Sequence, residues 1–71
     1  DKLGRYLEAL TAYNKALSID PNHASAWNNK GVSLEHLGRY LEALTAYNKA
    51  ISLDPTYQLA IDNKERLEVK S

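Results

Sequence analysis

No cysteine occurs among the 71 residues, which excludes disulfides and thiolate metal sites and leaves the redox compartment open. A surplus of charge of one sign is missing as well. Nine lysines and arginines offset nine aspartates and glutamates, for a formal net charge of zero. No single-signed field therefore steers the chain onto nucleic acid or an anionic membrane, and neither partner is expected. No apolar run approaches the length of a bilayer span, and no signal-peptide pattern opens the sequence. The expectation is a soluble, cytoplasmic chain. The two histidines, His23 and His36, have no His-x3-His partner and no cysteine to join them, so surface positions outweigh a metal site. There is no glycine-rich phosphate loop and no Ser/His/Asp motif. Glu8 and Glu42 each follow an arginine by three residues, Arg5 and Arg39, a spacing that suits exposed helical ion pairs better than an acid–base dyad. Catalytic residues, cofactors and metal ligands are all expected to be absent, so the residues point away from an enzyme.

What is present is a duplication. Residues 3–21, LGRYLEALTAYNKALSIDP, return as residues 37–55, LGRYLEALTAYNKAISLDP, at an offset of 34 with only Leu17/Ile51 and Ile19/Leu53 exchanged. A fixed period of this length marks an array whose unit cannot bury its apolar face alone and stacks on a near copy of itself. At 71 residues the chain is one small domain that buries a modest share of its surface, so help from neighbours is expected. It begins with Asp1 partway into a repeat unit, and a piece of something longer is expected. Recent duplication and deliberate engineering both account for the near identity of the copies.

Apolar spacing sets the elements. Tyr6, Ala9, Leu10, Tyr13, Ala16 and Leu17 recur at steps of three and four, predicting a helix over residues 5–18 and, from the copy, a twin over 39–52. Ala26, Trp27, Leu34 and Leu37 predict a helix over 24–36, with Asn22 as its N-cap. Gly38 suits the left-handed residue that closes this helix, and Gly4 is expected to do the same in the first copy. Asp20-Pro21 and Asp54-Pro55 end the twin helices, because proline removes a backbone donor and biases its predecessor away from the α region. Thr56 is expected to cap a last helix over 58–70.

Trp27, Gly31, Ala43, Tyr47, Ala50 and Pro55 fall at the spacing W-x2-L-G-x2-Y, then A-x3-F, then P, and on these residues the chain resembles the tetratricopeptide repeat family. Nearly the whole chain is covered. Residues 24–57 make a complete unit, residues 3–21 the second helix of a preceding one, and residues 58–70 a terminal helix in the first-helix slot of a third. Lys30 departs from the pattern's leucine and Leu34 from its aromatic. Lys30 is expected to lay its alkyl stem along the core. The resemblance implies an all-α fold of antiparallel helix-turn-helix repeats, about four helices stacked as a short right-handed α-solenoid. Bottom-up reasons agree: Gly31 and Ala43 lack bulk where two helices must approach closely, and Trp27, Tyr13 and Tyr47 fill the space between helices. In the last helix Glu65 and Glu68 replace small and apolar residues, as a polar capping helix would. Asp62 with Arg66 and Lys64 with Glu68, at i, i+4, are expected as solvated pairs.

The resemblance also implies a protein–protein interaction module whose concave groove receives a peptide or protein segment. The implied groove residues are Ser25, Asn28, Asn29, Val32, Glu35 and His36, continued by Asp62, Asn63 and Arg66. Asn29 and Asn63, 34 residues apart, offer the paired donor and acceptor that an extended backbone needs. Asn28 and Val32 stand where some members carry a lysine and an asparagine for a C-terminal carboxylate, so that clamp is not evident. The alternative is a self-assembling structural segment, a homo-oligomer stacked head to tail or swapped through Gly38. It would use the uncovered first helix around Tyr6, Ala9 and Tyr13, with Leu7 and Leu41 as lone apolar residues on an otherwise polar stripe.

Overall fold

The computed structural model describes residues 2–70. Its four helices are α1 (Lys2–Ile19), α2 (Ala24–His36), α3 (Tyr40–Leu53) and α4 (Gln58–Lys70), and the described residues contain no strand. The order and number agree with the expected all-α repeat. Helix α1 starts three residues earlier than the apolar stripe suggested, because Leu3 and its neighbours have nothing that stops a helix. Each helix packs on the next, and α2 also touches α4, whereas α1 and α3 do not meet. Helix α2 is therefore the one element in contact with all the others.

The tightest approach in the α2–α3 hairpin lies at Gly31. A methyl group placed there would stand 2.5 Å from Cε1 and 2.7 Å from Cδ1 of Tyr47, well inside van der Waals contact. The ring thus packs directly against bare backbone, and Tyr47 is wholly buried. Around it Leu10, Leu34, Ala43, Ala46 and Leu67 form one core, with Trp27, Val32, Leu37 and Leu44 packed against it. Four helices contribute to this cluster, so the small chain has a single apolar centre.

The turns are chemically specific. At the end of α2 the Arg39 N–H reaches back to the Leu34 carbonyl (2.9 Å) and the Gly38 N–H to the Glu35 carbonyl (3.0 Å), a Schellman closure that needs the left-handed φ of +79° seen at Gly38. Gly4 does not repeat this role: it lies inside α1, with no positive φ. Each Asp-Pro turn uses its aspartate, Asp20 Oδ1 accepting from the Asn22 N–H (3.1 Å) and Asp54 Oδ1 from the Thr56 N–H (3.2 Å). Two expected caps are thereby corrected. His23, not Asn22, is the N-cap of α2 and makes no side-chain cap bond. The Thr56 hydroxyl donates to Asp54 Oδ1 (2.8 Å), so it closes the turn and does not cap α4.

Identical sequence meets different surroundings in α1 and α3. Ala43, Ala46, Tyr47 and Ala50 are buried between α2 and α4, while their counterparts Ala12 and Ala16 are exposed and Ala9 and Tyr13 are half-buried. Burial is set here by what flanks the helix, not by the helix. At the other end Ala60 and Leu67 are fully buried against the core, while Glu65 and Glu68 face water. The exposed surface of α4 is mixed, with these two glutamates beside the exposed Leu59 and Val69.

The two glycines of the repeat should respond oppositely to alanine. Gly38→Ala is expected to destabilise by about 1–2 kcal/mol because it forces a side chain into the left-handed region. Gly4→Ala carries no such cost, and as a helical glycine its replacement is expected to be neutral or stabilising. Urea unfolding followed by helicity checks both.

Candidate functional site

Along the seam between α2 and α4 the polar side chains form one continuous chain of hydrogen bonds. The Tyr47 hydroxyl, rising from α3, donates to Glu35 Oε1 (2.9 Å). Arg66 of α4 donates through Nη2 to the same oxygen (3.0 Å) and through Nη1 to Oε2, a two-pronged grip on one carboxylate. Nη2 also donates to Asn63 Oδ1 (3.2 Å), and Asn63 Nδ2 donates to Asn28 Oδ1 (3.0 Å). An arginine can only donate. The carbonyl of Asn63 must therefore face Arg66 and its NH2 must face Asn28, which fixes the direction of the whole chain. The Asn28 amide nitrogen is left buried with no hydrogen-bond partner among the described residues, a cost of about 1–3 kcal/mol that the seam carries.

The electrostatics follow from this geometry. The Glu35 side chain is 10% exposed and that of Arg66 52%, so the pair sits at the edge of the core with its anion on the dry side. The hydrogen bond to Glu35 holds the Arg66 guanidinium even more firmly protonated than usual. Burial, then the hydrogen bond to Glu35 and its negative charge, push the Tyr47 phenol well above the ordinary tyrosine value.

The remaining groove residues are placed as follows. Ser25 is exposed, and Val32 is half-buried against the core. Asn29 is half-buried, and among the described residues its amide bonds to no protein group. His36 is exposed and stacks on Tyr6 of α1, with ring centroids 4.3 Å apart and planes 4° from parallel. Asp62 is exposed and accepts from Gln58 Nε2 (2.8 Å). Asn28 corrects the expectation of a groove-surface residue: it is 1% exposed and lies beneath Asn63. The expected Asp62–Arg66 pair is not made, since Arg66 finds a more buried carboxylate across the seam. Among the described residues neither Lys64–Glu68 nor Arg5–Glu8 forms an ion pair, whereas Arg39–Glu42 does at 2.6 Å; exposed pairs of this kind are worth little and form only where rotamers suit.

Sequence reasoning missed the hydroxyl of Tyr47, treating the residue as core alone. A signal existed, because the pattern has phenylalanine at that place and a buried tyrosine needs an acceptor. It also missed Leu59 and Val69, which are 54% and 89% exposed. Together with Asp62 and Arg66 their spacing of three, four and three places them on one face of α4.

On the far side of α2, two residues and about 200° beyond Asn28, a cleft of about 190 Å³ is lined by Trp27, Lys30, Leu34, Glu42, Thr45 and Ala46. The Lys30 ammonium stands 5.1 Å from the Trp27 ring centroid, and the indole N–H donates to the Pro21 carbonyl (2.8 Å). The lysine that departs from the repeat pattern is thus used as a cation over an aromatic face. Among the described residues no cluster of His, Cys, Asp or Glu could hold a metal ion, and no helix is long and apolar enough to cross a membrane.

A duplicated second helix, a glycine-seated aromatic and first helices that share a polar seam define a helix-hairpin repeat protein. The tetratricopeptide repeat model matches residues 1–58, and the chain belongs to the tetratricopeptide repeat family. No curated protein matches it. Tetratricopeptide repeats generally mediate protein–protein interaction and are not catalytic modules.

The raised Tyr47 pKa has a consequence for stability. Its neutral form is favoured in the folded chain, so its contribution is fully present below pH of about 10, the unfolded tyrosine value, and declines as pH rises beyond it. Unfolding free energy measured from neutral to alkaline pH should fall above that point. In Tyr47→Phe this part of the slope should disappear.

Proposed function

We propose that the face built by α2 and α4 is a concave binding surface for an extended peptide or protein segment. The observation that carries this reading is the row on α4, where exposed Leu59 and Val69 flank Asp62 and Arg66. Single exposed aliphatics are ordinary, but two on the face that also holds the polar seam offer anchors for apolar side chains. Across the seam Asn29 presents an amide whose donor and acceptor meet no protein group among the described residues, suited to a backbone N–H and C=O. Ser25, Val32 and His36 continue this surface on α2. Asn63 contributes differently, since Asn28 and Arg66 already hold its amide. Asn28 and Glu35 support the surface from below. Capture of a partner from lysate by the immobilised chain tests the reading. Asn29→Ala, which leaves the seam intact, is expected to lose the captured partner and keep its helicity at 222 nm. Undiminished capture by this variant would contradict the role given to the Asn29 amide.

A second reading, self-association through α1, is favoured by the exposure of Ala12 and Ala16, whose twins in α3 are buried. Its head-to-tail form would lay Tyr13 of one copy on Glu65 of another, in the slot where Gly31 clears space for Tyr47. Glutamate there obstructs the approach, which leaves a swap opened at Gly38 as the workable form. Such an assembly would make stability rise with protein concentration, whereas peptide binding by a single chain would not.

A further inference from the structure

Arg66 is the cation of the α4 row, yet its charge is already answered. Both terminal nitrogens rest on the Glu35 carboxylate, and Nη2 is shared with Asn63, so the edge of the guanidinium that would grip a ligand carboxylate is occupied. Nor can Arg66 be lent cheaply. The Glu35 side chain is only 10% exposed, and releasing the arginine would strip a nearly dry anion of a two-pronged, charge-assisted grip. Asp62, one turn earlier on the same face, is in the opposite position. It is exposed, one oxygen takes a neutral amide from Gln58, and among the described residues no cation pairs with it. With Glu35 and Arg66 cancelling, the exposed row therefore reads aliphatic, anionic, aliphatic at Leu59, Asp62 and Val69.

We propose that Glu35 determines which partner this face accepts. By clamping Arg66 it withdraws the cation, so the face takes a segment that brings aliphatic side chains with a lysine or arginine between them, and it turns away segments with acidic, carboxylate-ended tails. The inference rests on the concave-face reading given above. Glu35 acts through Arg66 and is a positioning residue, while Asp62 is the residue that meets the partner's cation.

Two fluorescein-labelled peptides of equal length test it by anisotropy titration of the intact chain. One alternates leucine and lysine and ends in an amide; the other alternates leucine and glutamate and ends in a free carboxylate. The wild-type chain is expected to prefer the basic probe by about tenfold or more at low salt, with the preference shrinking as salt rises. Glu35→Gln keeps an acceptor for Tyr47 but frees the guanidinium, and should narrow or reverse the preference by raising affinity for the acidic probe. Asp62→Lys, an exposed substitution that leaves the seam intact, should reverse it even if Glu35→Gln folds poorly. Equal binding of both probes by the wild-type chain, or an unchanged preference in folded Glu35→Gln or in Asp62→Lys, would overturn the role of Glu35 or Asp62 and leave the concave face standing. Failure of the wild-type chain to bind either probe would remove the concave-face reading itself and the inference with it.

Discussion

Tyr47 can be buried only because Gly31 has no side chain. Its ring occupies space that a single methyl group would close, with a contact of 2.5 Å, and from that seat its hydroxyl reaches Glu35. The carboxylate so positioned is the one Arg66 grips from α4, and Arg66 in turn orients Asn63 onto Asn28. A steric allowance in the α2–α3 hairpin is thus passed, one hydrogen bond at a time, to the placement of the last helix. Apolar contact supplies the other half, through Ala60 and Leu67, which are fully buried. The hydrogen bonds fix which rotation of α4 presents its exposed row, since burial of an alanine and a leucine alone would tolerate several.

The same chain of contacts separates scaffold from recognition. The part of the sequence that was copied, residues 3–21 and 37–55, supplies the second helices and their turns. Apart from the Tyr47 hydroxyl, which rises from the copied α3, the polar seam belongs to the first helices α2 and α4, which were not copied from one another. Ser25 in α2 corresponds to Leu59 in α4, and Glu35 to Val69, at the 34-residue offset. A repeat array can hold its backbone geometry with one set of residues and vary its surface with another, because neighbouring repeats meet through a small number of fixed contacts.

Much of the fold was legible in the sequence. The period of 34, the steps of three and four, the Asp-Pro turns and the Gly38 closure each follow from a local rule with a physical cause. What misled was also local. Gly4 has the same neighbours in sequence as Gly38, but a glycine takes a left-handed φ only where a helix must end, and α1 runs through it. Asn22 and Thr56 are good capping residues, but the Asp-Pro turns hold them one residue short of the position that precedes each helix. The candidate site was less legible because its bonds join residues 31 and 35 apart. The i, i+4 rule paired Arg66 with Asp62, and a more buried carboxylate across the seam won. No pattern within one helix could have shown that, although a tyrosine in a phenylalanine slot did announce a hydroxyl in need of an acceptor.

Placement of α4 by the Glu35 carboxylate is open to a direct measurement. Amide hydrogen exchange in the chain and in Glu35→Ala resolves each helix separately, since segments open with their own free energies. Selective loss of protection at residues 63–67, with the α2–α3 hairpin around Gly31 and Tyr47 still protected, is the expected result. Unchanged protection in α4, or an equal loss across all four helices, would contradict the dependence of the last helix on this one carboxylate.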